Sequence, residues 1–195
     1  MRKAFLWMLL FMTALVFLDY RLDHRHDNDT YLQQLEHTLS CSDWVNYEDS
    51  EYGYTMRYPS CFRPIESSGE GGASFAYMEE LPLNNIVYMV LETNTQVCQD
   101  SLNPYREMRR MAKEMDGICC RQSDTTFLMT TKIKSRDPKV TAWVMCAKYI
   151  LHQKLWFVET LIYPEDFAPA VQRVVKEVND WTPFGSVGRS DLVQR

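Results

Sequence analysis

The chain opens with Met1-Arg2-Lys3 and then runs apolar without a break from Ala4 to Leu18 before Asp19. No later stretch has that pattern. Leu32, Leu35 and Leu39 recur at helical spacing among Gln33, Gln34 and His37, which predicts a short helix from Asp29 or Thr30 through Ser40. Trp44 to Glu48 and Tyr54 to Tyr58 read as two strands across a turn from Asp49 to Gly53, with Pro59 closing the second. After a loop at Ser67 to Gly72, Ala73 to Met78 reads as a short strand. Ile86 to Leu91 is apolar at every position, the mark of a central strand covered on both faces.

The rhythm then changes. Asn103-Pro104 is a cap residue followed by proline at the first helical position, and the helix it opens is expected over Tyr105 to Asp116, ending at Gly117. Met108, Met111, Ala112 and Met115 form its inner stripe. Glu107, Glu114 and Asp116 read as solvated. Four strands at hairpin spacing follow: Ile118 to Gln122, Phe127 to Lys134, Val140 to Leu151 and Leu155 to Tyr163. Turns at Ser123-Asp124-Thr125, Ser135 to Pro138 and His152-Gln153 join them. A last helix, Phe167 to Trp181, turns Val171, Val174, Val175 and Val178 inward, and Ser186 to Arg195 reads as a frayed tail. The order of elements predicts an α+β fold: a mainly antiparallel sheet packed with helices.

The opening segment carries the first functional expectation. Two cations followed by an apolar run form an export signal. The run of about 15 residues spans roughly 22 Å as a helix, short against the ~30 Å bilayer core. Bulky residues from Leu15 to Tyr20 leave no small-residue cleavage site, and Trp7 with Arg2 and Lys3 suits an interfacial flank. Residues 1–20 are therefore either an uncleaved anchor or a cleaved signal peptide. With the cations held inside, the rest of the chain faces the periplasm or the cell exterior. The expected organisation is a charged tether and short helix over 21–40, one domain over 41–184, and a flexible tail over 185–195.

Composition narrows the partners. A net charge of −5 and a pI near 5.4 argue against nucleic acid, which demands a basic face. The even number of cysteines, six, suggests disulfides in an exported chain, but the spacing is irregular and contains no CxxC. Cys41 and Cys61 flank the first strand pair and are the disulfide candidate. Cys119-Cys120 point to opposite strand faces, and Cys120 and Cys146 are expected two strands apart, too far to bridge. No phosphate-binding loop, nucleophile elbow or HExxH motif occurs, so no cofactor, metal or catalytic residue is expected. His24 and His26 read as tether and His152 as an exposed turn residue. The one surface that departs from the acidic average is Arg106, Arg109, Arg110 and Lys113 on the first long helix, a candidate face for an anionic partner.

Two stretches carry a resemblance. Tyr54-Thr55-Met56-Arg57-Tyr58-Pro59-Ser60-Cys61-Phe62 resembles an aromatic strand running into "YP..F". Trp156 to Pro164 resembles the strand before a final helix that closes on a hydrophobic end, here Trp181-Thr182-Pro183-Phe184. Over about Asp43 to Phe184 the chain resembles the PsbP-like superfamily of α/β/α sandwiches. The resemblance implies that fold and, as in most members, a non-catalytic adaptor that binds a larger assembly. It implies no functional residue. The expectation is thus an exported, membrane-tethered binding or assembly module of the cell envelope, with an unknown envelope protein as partner and the membrane met through the N-terminal segment. A cysteine-dependent enzyme or redox protein is the alternative, as is a small-ligand carrier with Tyr52, Tyr54, Tyr77 and Tyr88 lining a pocket.

Overall fold

The computed structural model describes residues 30–67, 72–80, 85–134 and 142–185. The apolar segment, the tether with His24 and His26, the Ser135 to Pro138 turn and the tail lie outside the described residues. Within them run α1 (Tyr31–Cys41), β1 (Trp44–Glu48), β2 (Thr55–Pro59), β3 (Arg63–Ile65), β4 (Ser74–Glu80), β5 (Asn85–Val97), α2 (Pro104–Glu114), β6 (Ile118–Arg121), β7 (Thr126–Ile133), β8 (Trp143–His152), β9 (Leu155–Pro164), a 3-10 turn (Glu165–Phe167) and α3 (Gln172–Asp180).

Strands β3 to β9 form one seven-stranded antiparallel sheet in the order β3-β4-β5-β9-β8-β7-β6, and β1-β2 is a separate two-stranded ribbon. The expected meander is β6 to β9, and β5 closes against its last strand. The α+β class expected from the sequence is what the chain adopts. Strand β5 is longer than its apolar stretch predicts, continuing through Glu92 to Gln96 while pairing with β9 from Val90↔Ile162 to Val97↔Leu155. That polar half is tolerated because Thr93 closes a hydrogen bond with Tyr54, the residue just before β2, 2.8 Å between hydroxyls. Gly72 is required beside it: a Cβ there would sit 1.9 Å from the Thr93 carbonyl oxygen.

One face of the sheet is covered by α1, α3 and the ribbon. Leu35, Leu39, Met56, Phe75, Leu91, Phe157, Leu161, Val171, Val174, Val178 and Trp181 are buried there. The short helix expected ahead of a domain beginning at Cys41 packs into the core of that domain, because Leu35 and Leu39 are wholly enclosed. Thr30 caps it with a capping box through Gln33. Arg173 of α3 ties its other end by donating to the carbonyls of Leu39, Ser40 and Ser42 at 2.7–2.9 Å, while its guanidinium lies 5.0 Å above the Trp44 ring. Among the described residues, the opposite face carries α2 alone, with Met108, Ala112, Phe127, Met129, Tyr149 and Trp156 buried there.

Candidate functional site

Helix α2 begins where the sequence says, at Asn103, whose side chain accepts from Arg106 N at 3.1 Å with Pro104 in the first turn. Its C-terminus is held by Thr131, which donates to Met115 O at 2.7 Å. Met108 and Ala112 pack on the sheet, whereas Met115, expected on the inner stripe, is 38% exposed. The larger correction is Glu107. It was expected in solvent and is 5% exposed. Its carboxylate accepts from Cys98 Sγ at 3.0 Å, Gln99 N at 3.2 Å and Asp100 N at 3.0 Å, so it caps the loop that leads into its own helix. Burial pushes its pKa up, but these hydrogen bonds outweigh burial and hold it below the ordinary glutamate value. The buried indole N–H of Trp156 stands close by without completing a hydrogen bond. Burial and the adjacent carboxylate push the Cys98 thiol up to about 11, which leaves it a protonated donor rather than a nucleophile.

With Glu107 turned inward, the outer side of α2 is dominated by Arg106, Arg109, Arg110 and Lys113, all exposed, as expected. With Asn103 and Tyr105 they line a depression of about 490 Å³. Arg106 is bound to Asp100 at 2.8 Å and Arg110 to Gln99 at 3.2 Å, with Glu114 3.8 Å from its Nε. Arg109 and Lys113 have no anionic partner among the described residues. Two residues of this surface carried no local signal in the sequence. Tyr105 stacks on Phe127 at 6.2 Å and lies beneath the guanidiniums of Arg109 (5.8 Å) and Arg121 (5.2 Å). Arg121 comes from β6, brought alongside by the hairpin rather than by sequence spacing.

The other sequence candidates are dispersed. All six cysteines are free thiols: Cys41 and Cys120 are exposed, Cys61 and Cys119 half-buried, Cys98 and Cys146 buried. The candidate pair Cys41 and Cys61 is thus unbonded here. Cys41 Sγ instead lies 3.6 Å from His37 Nε2 on the surface of α1, a pairing readable from their i,i+4 spacing. Cys120 faces Leu128 and Cys146 faces Thr130, which leaves the two cysteines on β6 and β8, two strands apart as expected. His152, expected in a turn, instead ends β8 just before the Gln153-Lys154 turn and lies against Phe184, ring centroids 4.7 Å apart. The tyrosines expected around one pocket separate into two groups. Tyr52 and Tyr54 pack edge-on against Phe157 at 6.4 and 5.9 Å. Tyr77 and Tyr88 join Tyr31 and Phe167 at the far end of the sheet.

That second group depends on a β-bulge. The β4–β5 register jumps from Tyr77↔Met89 to Met78↔Val87, which leaves Tyr88 as an extra residue. Its ring meets Tyr31 at 5.6 Å and Phe167 at 6.3 Å, and its hydroxyl donates to Glu79 Oε2 at 2.8 Å. Burial, then the neighbouring phenols and Glu79, push the Tyr31 hydroxyl well above its ordinary pKa, so it stays neutral.

A third feature lies under α3. Glu159, on β9, is wholly buried, and neither carboxylate oxygen has a hydrogen-bond partner among the described residues. It pairs across the ladder with Thr93 on one side and Lys148 on the other. Burial, reinforced by Glu177, pushes its pKa well up despite Lys148 and Arg57 nearby. Lys148 turns away and donates to Asn179 O at 2.8 Å and Trp181 O at 2.7 Å, closing the C-terminus of α3. Nothing in the sequence marks Glu159 as different from the other glutamates, because its neighbours come from distant segments.

No protein-family model matches the chain, and no curated protein matches it in sequence. Among solved structures it is similar to Mog1p, a Ran-binding protein of Saccharomyces cerevisiae, at 10% identity and a TM-score of 0.50, over 71% of this chain and 94% of that one. It is also similar to cyanobacterial PsbP (CyanoP) from Synechocystis, at 13% identity and a TM-score of 0.40, over 71% and 91%. At such identities a likeness speaks for the backbone alone. On the superposition with Mog1p, and on the sheet and helix layers described above, the chain has the fold of the PsbP/Mog1 family.

Proposed function

We propose that the chain is an exported, membrane-tethered binding module of the cell envelope that docks an acidic protein surface through the outer face of α2. The observation that carries this reading is the grouping of Arg109 and Lys113, free of anionic partners among the described residues, with Tyr105 around one depression, and of Arg121 against the same tyrosine ring. Arginine and tyrosine are the residue types that anchor protein interfaces, and a helix fixed at both ends presents them with little ordering cost. Export and tethering are supported by the sequence of residues 1–20. A fold shared with a Ran-binding protein fits a binding role. The buried, protonated Cys98 and the scattered remaining cysteines and histidines offer little to a thiol enzyme.

The test is a photo-cross-linking residue in place of Lys113 in the full-length chain, expressed in its own membranes. One discrete protein adduct is expected, and Arg106→Glu with Arg109→Glu and Arg110→Glu should abolish it. Adducts that survive the charge reversal, or none at all, would remove the reading.

A further inference from the structure

The acidic surface has a second departure, at the end of the sheet opposite the start of α2. Tyr31 (45% exposed), Leu32 (38%), Ile86 (40%) and Val87 (39%) are large apolar residues open to solvent. They flank the ring cluster in which Tyr31, Tyr88 and Phe167 stand 5.6–6.3 Å apart pairwise. Scattered apolar residues on a surface need no explanation, but a group drawn together from α1, β5 and the turn after β9 does. The bulge at Tyr88 builds it, by adding a residue whose ring joins the cluster. Rings with apolar bodies and hydroxyl tips are the side chains that settle at a membrane–water boundary.

Where the chain enters this region matters. Tyr31 follows directly on the tether, and Asp19 to Asp29 spans at most about 40 Å even fully extended. The aromatic end is thus the end nearest the apolar run along the chain. Acidic Asp23, Asp27 and Asp29 offset Arg21 and Arg25, so the tether itself supplies no electrostatic hold on a lipid surface. Contact has to come from aromatic and apolar side chains.

From these placements we infer that the Tyr31–Leu32–Val87–Tyr88 end of the domain rests in the lipid–water interface of the bilayer that carries the tether. The inference rests on the tethered reading above and adds an orientation to it. Val87 and Val97 are ten residues apart on β5, about 33 Å at ~3.3 Å per residue. The start of α2, beyond Val97, then stands several Debye lengths (~8 Å at physiological salt) from the lipid headgroups. Arg106 and its neighbours are directed to a partner in the aqueous compartment rather than to anionic lipid.

The experiment uses the full-length chain in vesicles of phosphatidylcholine with one-third phosphatidylglycerol, with and without acyl-brominated lipid, which quenches tryptophan at the interface. Val87→Trp and Val97→Trp are compared with the parent chain. Both positions are exposed, and unchanged cooperative melting verifies each fold. Flotation with the vesicles and added quenching in Val87→Trp alone is the expected result. Flotation with no added quenching in Val87→Trp overturns the orientation but leaves the tether. Added quenching in Val97→Trp instead means that the basic end faces lipid, and overturns it too. Failure to float removes the tethered reading and the inference with it.

Discussion

Glu107 on the inner side of α2 and Glu159 beneath α3 are buried on opposite faces of one sheet, and their pKa values move in opposite directions. Glu107 accepts hydrogen bonds from Cys98, Gln99 and Asp100 and is held ionised. Glu159 has none, and its pKa is driven up. Burial alone does not set the charge of a carboxylate; the donors that surround it do. The difference extends to the layers above. The α3 face is thick and aromatic, and its cation Lys148 is spent on closing a helix end. The α2 face is one helix deep, and its acid is spent on the loop that holds that helix. This frees the outer side of α2 to present cations.

The thick face should therefore carry the largest single contribution to stability. Trp181 is 5% exposed, donates to Thr55 O at 2.7 Å and packs edge-on against Tyr54 at 6.4 Å, so it joins the ribbon to α3. Trp181→Ala is expected to cost about 4 kcal/mol in urea unfolding. Met108→Ala, equally enclosed under α2, is expected to cost about 3 kcal/mol. If Met108 proves the costlier, the two faces do not differ in depth as described.

The glutamates should answer substitution with opposite signs. Glu107→Ala strands the Gln99 and Asp100 amides and should cost about 2–3 kcal/mol. Glu159→Leu removes two unpartnered oxygens from beside Phe157 and Leu161 and should gain about 1–2 kcal/mol at neutral pH. Losses of equal size in both variants, measured under one set of conditions, would mean that Glu159 has a partner after all.

Titration sharpens the same contrast. The folded state keeps a proton on Glu159 that the unfolded chain gives up near the ordinary value of 4.5. Its contribution is fully present below that value and is lost as pH rises toward the folded-state pKa, at no more than about 1.4 kcal/mol per pH unit. Glu107 acts in the other direction: its stabilisation is present above the ordinary range and is lost as pH falls through its lowered folded-state pKa. Comparing the parent with Glu159→Gln between about pH 5 and about pH 8, the variant should show the shallower decline. Parallel profiles would show that Glu159 does not titrate separately from the unfolded state.

These contrasts were not in the sequence, and the reason is geometric. Helix α2 was legible from Asn103-Pro104 to Gly117 because capping is local chemistry, and so was its basic surface. Strands β6, β7 and β9 were legible to within a residue at each end, whereas β8 begins at Trp143 rather than at Val140. Glu107 lies one position from Met108, between the stripe and the surface, and only the loop at Gln99 and Asp100 decides which way it turns. The packing of Leu35 and Leu39 against α3 depends on a segment more than 130 residues away. Tyr88 looked like one more residue of an apolar strand. The bulge that joins it to Tyr31 is fixed by β4, and no pattern within β5 announces it.

The smallest expected effect on stability is on the surface given the largest role in binding. Arg109 and Lys113 make no ion pair among the described residues, and their helix is held by Asn103 at one end and Thr131 at the other. Arg109→Glu and Lys113→Glu should therefore each change unfolding free energy by no more than about 0.5 kcal/mol, as exposed substitutions do. A loss several times larger would mean that these cations are needed to hold α2 on the sheet, a structural duty that explains their grouping without a partner. A change within that bound leaves side chains that stabilise nothing in the folded chain, drawn to one side of a rigid helix on an otherwise acidic protein. Such a grouping is the surface that the proposed acidic partner would meet.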